Sequence, residues 1–221
     1  MIARISEIFK STQGEGIYQG IKQVFVRFYG CNLNCSFCDT KLNSYQEKTV
    51  KEVIREISSY RDYHSVSLTG GEPLSQTEFL LDLCHELKMM CKIIYLETNG
   101  TLPDNLWKVI DYIDIIAMDF KLPSSTRQAQ CWSEHRKFLR IACAKEVFIK
   151  AVVGKDTLDD DILKAAWLIK EANPELCLVL QPENPFEDLL ADKLELFRKL
   201  CIDKNIKVKI LSQMHKKLGI P

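Results

Sequence analysis

A chain of 221 residues with 46% hydrophobic and 27% charged side chains has the make-up of an ordinary globular protein, expected to form one domain over 1–221. Its 30 basic and 30 acidic residues cancel, so no nucleic-acid partner is expected, and Lys204, Lys207, Lys209, Lys216 and Lys217 read as a solvated surface. With no apolar run of membrane-spanning length, no leader pattern and an odd nine cysteines, the expected setting is the cytoplasm, with no membrane partner.

The first motif in the chain is Gln13-Gly14-Glu15-Gly16. Two close glycines allow backbone to approach a planar heterocycle, and equally suit a flexible hairpin turn. Gly14, Gly16 and Gly20 lack the spacing and the strand–turn–helix setting of a dinucleotide fingerprint. The run 24–29, rich in β-branched and aromatic residues, reads as a strand with Arg27 in its middle. An unpaired charge buried there costs several kcal/mol, so a carboxylate of the protein or of a ligand must meet it.

Just past that strand Cys31, Cys35 and Cys38 form C-x3-C-x2-C. The spacing offers three thiolates to one metal centre and withholds a fourth. Structural zinc and electron-carrying clusters normally fill all four protein positions. A 4Fe–4S cluster on three cysteines keeps one iron open to a small molecule. Cys84, Cys91, Cys131, Cys143, Cys177 and Cys201 show no ligand spacing and read as small core hydrophobes. Asp39-Thr40 offers a carboxylate and a hydroxyl, suited to Mg²⁺ and equally to a turn or helix cap.

Beyond the cysteines, apolar runs alternate with amphipathic ones. Thr49 and Glu52 form a capping-box pattern ahead of Val53, Ile54 and Ile57, and Ser75 and Glu78 repeat it before a helix over 79–88. Pro103 suits the first turn of a helix running to about 111, and further helices are expected over 133–144, 158–172 and 187–201. Strands are expected at 66–68, 93–97, 115–118, 147–153, 176–180 and 207–211, apolar along their length as buried parallel strands are. This rhythm implies an α/β fold, a parallel sheet that is open or curled into a barrel.

The polar motifs follow the strands. They are Thr69-Gly70-Gly71-Glu72-Pro73, Glu97-Thr98-Asn99-Gly100-Thr101, Asp119 to Ser125, Gln181-Pro182-Glu183-Asn184 and Ser212 to His215. Ligands of parallel α/β folds bind at the carboxyl ends of the strands, so these motifs and the cysteine loop read as one active site. Gly70-Gly71-Glu72-Pro73 permits close backbone approach, with carbonyls able to accept from an ammonium group. The alternative reading is a tight strand-to-helix turn with Glu72 at a helix start. His64, His85 and His135 receive no role, and His215 follows the last strand on the active rim, where a plain surface histidine is the default reading.

The three-cysteine loop followed by Gly70-Gly71-Glu72-Pro73 resembles the radical S-adenosylmethionine (SAM) superfamily. That resemblance implies a trimmed, incomplete parallel β/α barrel and a 4Fe–4S cluster on Cys31, Cys35 and Cys38. The open iron would bind SAM, whose reductive cleavage yields a radical that takes hydrogen from substrate. Gln13-Gly14-Glu15-Gly16, Phe25-Val26-Arg27, Phe37-Cys38-Asp39-Thr40, Glu97 to Thr101 and Met214 to Gly219 further resemble the 7-carboxy-7-deazaguanine synthase family.

That resemblance implies conversion of 6-carboxy-5,6,7,8-tetrahydropterin to 7-carboxy-7-deazaguanine with loss of ammonia, by hydrogen abstraction at C6 and ring contraction. The product leads to queuosine and related deazapurines. Mg²⁺, a homodimer and a flavodoxin- or ferredoxin-type electron donor are implied as well. By position, Gln13, Gly14 and Glu15 would line the pterin, Arg27 would meet its carboxylate, and Thr69, His215 and Pro221 would also touch substrate. Thr40 would hold Mg²⁺. Phe37, Cys38, Asp39, Gly71, Glu72, Ser124 and Gln181 would contact SAM. The rival readings are a glycyl-radical activating enzyme, and a non-catalytic iron–sulfur carrier or zinc-stabilised module.

Overall fold

The computed structural model describes residues 1–36, 38, 44–214 and 219. The strands are β1 (Ile2–Thr12), β2 (Lys22–Phe28), β3 (Gln46–Thr49), β4 (Ser65–Gly70), β5 (Ile94–Thr98), β6 (Ile115–Asp119), β7 (Glu146–Val153), β8 (Cys177–Pro182) and β9 (Lys207–Ile210). The helices are α1 (Val50–Ser59), α2 (Thr77–Met89), α3 (Pro103–Val109), α4 (Pro123–Thr126), α5 (Trp132–Ala142), α6 (Asp159–Ala172) and α7 (Ala191–Asp203). All nine strands form one sheet in the order β3-β1-β2-β4-β5-β6-β7-β8-β9. From β2 to β9 every pairing is parallel. The sheet stays open, with β3 and β9 at its edges, so the expected incomplete β/α barrel is what forms.

The parallel sheet read from the sequence lacked β1 and β3, which add two antiparallel pairings at one edge. β1 buries Ala3, Ile5 and Ile8 but carries Arg4 and Glu7 between them, and its register shifts between Ile5 and Glu7. A half-exposed strand with a bulge has neither the continuous apolar run nor the clean alternation that marks a strand in sequence.

Local signals decide the helix starts. Thr49 and Glu52 form the expected reciprocal cap of α1, Glu52 Oε2 accepting the Thr49 N–H at 2.7 Å. The Ser75–Glu78 box does not form. Pro73 brings the helical turn forward to Pro73–Gln76, and Glu72 becomes its cap, accepting the Leu74 N–H at 3.1 Å. Of the six cysteines read as core, Cys84 and Cys201 are buried, Cys131, Cys143 and Cys177 are half-buried, and Cys91 is exposed.

Side chains alternate across each parallel strand, and both faces are used. Val66, Leu68, Leu96, Ile116, Met118, Ile149 and Leu178 face the helices in the larger core. On the other face Tyr95, Ile115, Phe148 and Val179 pack with Tyr18 into a second, smaller cluster. Towards the strands' carboxyl ends this second face turns polar, at Thr69, Glu97, Asp119, Lys150 and Gln181. The aromatic plug below and the polar groups above define the site.

Candidate active site

A cavity of about 770 Å³ opens above the plug, within the usual range for small-molecule sites. Cys31, Cys35 and Cys38 stand on its wall with Gly14, Glu15, Arg27, Thr69, Gly71, Gln13 and Gln181, the residues expected there from sequence. Glu72 and Ser124 are not on the wall. Phe37, Asp39, Thr40, His215 and Pro221 lie outside the described residues.

The glycine-rich turn packs directly on the cysteine loop. The Gly71 N–H donates to Phe28 O and the Glu72 N–H to Gly30 O, both at 2.9 Å. A Cβ on Gly71 would lie 1.9 Å from Gly30 O, so no side chain fits where these backbones meet. With its N–H groups used in this way, the turn can offer carbonyl oxygens to a ligand, which suits an ammonium group.

Glu72 departs from its expected role. Its carboxylate is fully buried and accepts from Asn99 N at 2.7 Å, Leu74 N at 3.1 Å and Thr98 Oγ1 at 2.9 Å. Burial pushes its pKa up to about 7 despite these donors. It ties the end of β4 to the end of β5 and faces away from the cavity. Ser124 likewise bonds Asp161, its N–H donating to Oδ2 at 2.9 Å. Its neighbours reach the cysteine loop instead, since Ser36 donates through Oγ to Ser125 O at 3.0 Å and through N to Thr126 O at 3.1 Å.

Of the two kinds of carboxylate that sequence allowed for, the structure shows Arg27 meeting one, a carboxylate of the protein itself. Its Nη1 lies 2.5 Å from Glu7 Oε1, and its guanidinium sits 5.1 Å from the Phe9 ring centroid. The side chains of Arg27 and Glu7 remain 29% and 45% exposed, so this pair is weak and Arg27 stays open to a ligand anion.

Four wall residues, Glu97, Asp119, Lys121 and Lys150, carry charge that sequence reasoning left without a role. Glu97 accepts from Gln13 Nε2 at 2.8 Å, Ser67 Oγ at 3.0 Å and Thr69 Oγ1 at 3.1 Å. Lys150 pairs with Glu15 and lies 3.7 Å from Asp119 Oδ2, which Lys121 also contacts at 2.8 Å. Burial alone would depress Lys150, but Glu15, Asp119 and Glu97 outweigh it and hold the ammonium well above the ordinary lysine range. A lysine interrupting the apolar run of β7 was the available signal, because lysine is almost never buried unpaired.

The donor set fits the groups that the resemblance implied. Among the described residues no three His, Cys, Asp or Glu side chains gather as ligands of one ion. Three separate thiols on one wall suit a cubane in which each binds a different iron. Asp119 Oδ1 and Gln181 Oε1 are buried on the same wall without a hydrogen-bond partner. Orphaned acceptors of this kind call for a ligand with donors, and the ammonium, ribose hydroxyls and adenine amine of SAM are donors.

Residues 25–192 match the profile of the Radical SAM superfamily. A 7-carboxy-7-deazaguanine synthase of Geobacter sulfurreducens is 36% identical, over 98% of this chain and 97% of that one. Another 7-carboxy-7-deazaguanine synthase, from Archaeoglobus fulgidus, is 33% identical over 100% of both chains. The crystal structure of QueE from Escherichia coli superposes with a TM-score of 0.64 at 21% identity, covering 95% of this chain and 94% of that one, which supports the fold. The chain belongs to the radical SAM superfamily and, within it, to the 7-carboxy-7-deazaguanine synthase family. The relatives are radical SAM lyases of 7-deazapurine biosynthesis, which supports the synthase reading and not the activating-enzyme one.

Proposed function

We propose that this protein converts 6-carboxy-5,6,7,8-tetrahydropterin to 7-carboxy-7-deazaguanine and ammonia. The observation that carries the reading is one cavity wall that unites three thiols with an accessible guanidinium and the carboxylates of Glu15, Glu97 and Asp119. When bound, the 4Fe–4S cluster and SAM supply the hydrogen-abstracting radical. The protein's own part is recognition and shielding. Arg27 takes the substrate carboxylate, for which its planar fork is suited. Glu15 and Glu97 accept from the N–H groups of the pterin, and Gly14 and Thr69 bound its edge. Cys31, Cys35 and Cys38 hold the cluster, while Gly71 and Gln181 receive SAM.

In the same reading Thr40 holds Mg²⁺ beside the substrate carboxylate, Phe37 and Asp39 contact SAM, and His215 and Pro221 close over the substrate. Ser124 and Glu72 act from behind the wall, by fixing the loops that touch SAM. Residues 1–221 work as one catalytic domain, supported by strands from both ends of that range sharing a sheet. The protein functions as a homodimer and takes electrons from a flavodoxin- or ferredoxin-type donor. Among the described residues no helix is long and apolar enough to cross a membrane, which accords with a cytoplasmic site of action.

Calorimetric titration of the substrate and of the same pterin without its carboxylate tests the recognition step. The carboxylated ligand is expected to bind at least tenfold more tightly to the native protein, and with no preference to Arg27→Ala. Equal affinities for the native protein would overturn the assignment of Arg27.

A further inference from the structure

We propose that Asn99 is a positioning residue for the cluster, donating an N–H···S hydrogen bond from Nδ2 to the Cys31 thiolate and so raising the cluster's reduction potential. Asn99 Nδ2 lies 3.7 Å from Cys31 Sγ, a sulfur that also accepts from Leu33 N at 3.4 Å. The direction of the amide follows from its neighbours. Asn99 Oδ1 accepts from Thr101 N at 3.0 Å, and a backbone N–H only donates, so the opposite end facing sulfur is the NH₂ group.

The remaining contacts close a ring that leaves this amide no other orientation. Thr101 Oγ1 donates to Asn99 Oδ1 at 2.6 Å, Asn32 Nδ2 donates to Thr101 Oγ1 at 2.8 Å, and Asn99 Nδ2 donates to Asn32 Oδ1 at 2.8 Å. The backbone is held as firmly. Asn99 N donates to Glu72 Oε2 at 2.7 Å, and Asn99 O lies 3.1 Å from Nε2 of the buried His135. A carbonyl only accepts, so this nitrogen carries the imidazole proton. Gly100 completes the loop at φ +68°, where a Cβ would strike Met118 Cε at 2.5 Å.

Hydrogen bonds to cluster sulfurs stabilise the more negative, reduced state and are a principal control on potential. The inference rests on the cluster reading of the three cysteines and is independent of the substrate. Its test is an EPR-monitored redox titration of the anaerobically reconstituted protein, without substrate, against a low-potential one-electron reductant. Asn99→Ala is expected to lower the reduced-to-oxidised ratio at fixed poise about tenfold, a shift of about 59 mV for one electron. A fully loaded Asn99→Ala cluster with native potential would overturn the proposal.

A second readout needs no variant. With ¹⁵N placed only at asparagine side-chain amides, pulsed EPR of the reduced native cluster is expected to show a ¹⁵N coupling. Its absence would also overturn the proposal. A native chain that takes up no 4Fe–4S cluster would overturn the cluster reading itself, and this inference with it.

Discussion

Gln13 donates one side-chain N–H to Glu97 Oε1 at 2.8 Å and the other to Gln23 Oε1 at 2.9 Å, while its own Oε1 accepts from Glu15 N at 3.0 Å. Both of its N–H donors are thereby engaged, and its oxygen already accepts once. Gln13 therefore acts on the substrate by setting two carboxylates, Glu97 and Glu15, more than by offering its amide. Gln13→Glu would bury a charge against two acceptors. It is expected to lower stability by about 3 kcal/mol in denaturant unfolding. Unchanged stability would show that the wall relaxes round the new charge.

Arg27 is expected to govern substrate affinity. Losing a charge-assisted fork costs about 1.5–3 kcal/mol, or roughly 10- to 100-fold in KM, with a smaller change in kcat. Glu7→Gln should change stability by less than about 1 kcal/mol, because the pair it breaks is solvent-exposed. Steady-state kinetics and unfolding curves separate the two effects.

Lys150 neutralises Glu15 and Asp119 in a buried corner. Lys150→Met keeps the bulk but strands both carboxylates. A loss of about 3 kcal/mol is expected, with activity falling as Glu15 moves or takes up a proton. Guanidinium unfolding of the variant measures the first and substrate turnover the second.

Glu72 and His135 grip Asn99 from opposite sides and titrate in opposite senses. Glu72 rises from 4.5 to about 7 on folding, so its contribution is present below 4.5 and is lost as pH rises through about 7. His135 is pushed down by burial from 6.5 to about 4, so its contribution is present above 6.5 and is lost as pH falls through about 4. Each amounts to something on the order of 3 kcal/mol, and the two slopes oppose each other where their windows overlap. Thermal midpoints of Glu72→Gln should therefore climb more steeply with pH between about 4 and 6.5 than those of the native protein. Those of His135→Gln should fall between 4.5 and about 7. Parallel pH profiles in all three proteins would contradict the opposed titrations.

The βα rhythm and the three-cysteine loop were legible because they are local: apolar runs, a proline at a helix start, short ligand spacing. The side of the wall to which each polar residue points was not. Parallel strands buried on both faces show no period-2 contrast, so Lys150 stood out only as a lysine in an apolar run, with no mark of the face it takes. Glu72 was misread because its place depends on β5, whose Thr98 and Asn99 take up the carboxylate. His135 lies on the apolar face of α5, and its bond to Asn99 spans 36 positions of sequence. The antiparallel strands β1 and β3 carry too many polar residues to stand out.

The most direct test of the central claim is an anaerobic assay of the reconstituted, reduced protein with SAM, Mg²⁺ and 6-carboxy-5,6,7,8-tetrahydropterin, read by mass spectrometry. The account predicts 7-carboxy-7-deazaguanine from the native protein, none from Cys31→Ala and much less from Arg27→Ala. A native protein with a full cluster that cleaves SAM yet leaves the pterin unchanged would contradict it.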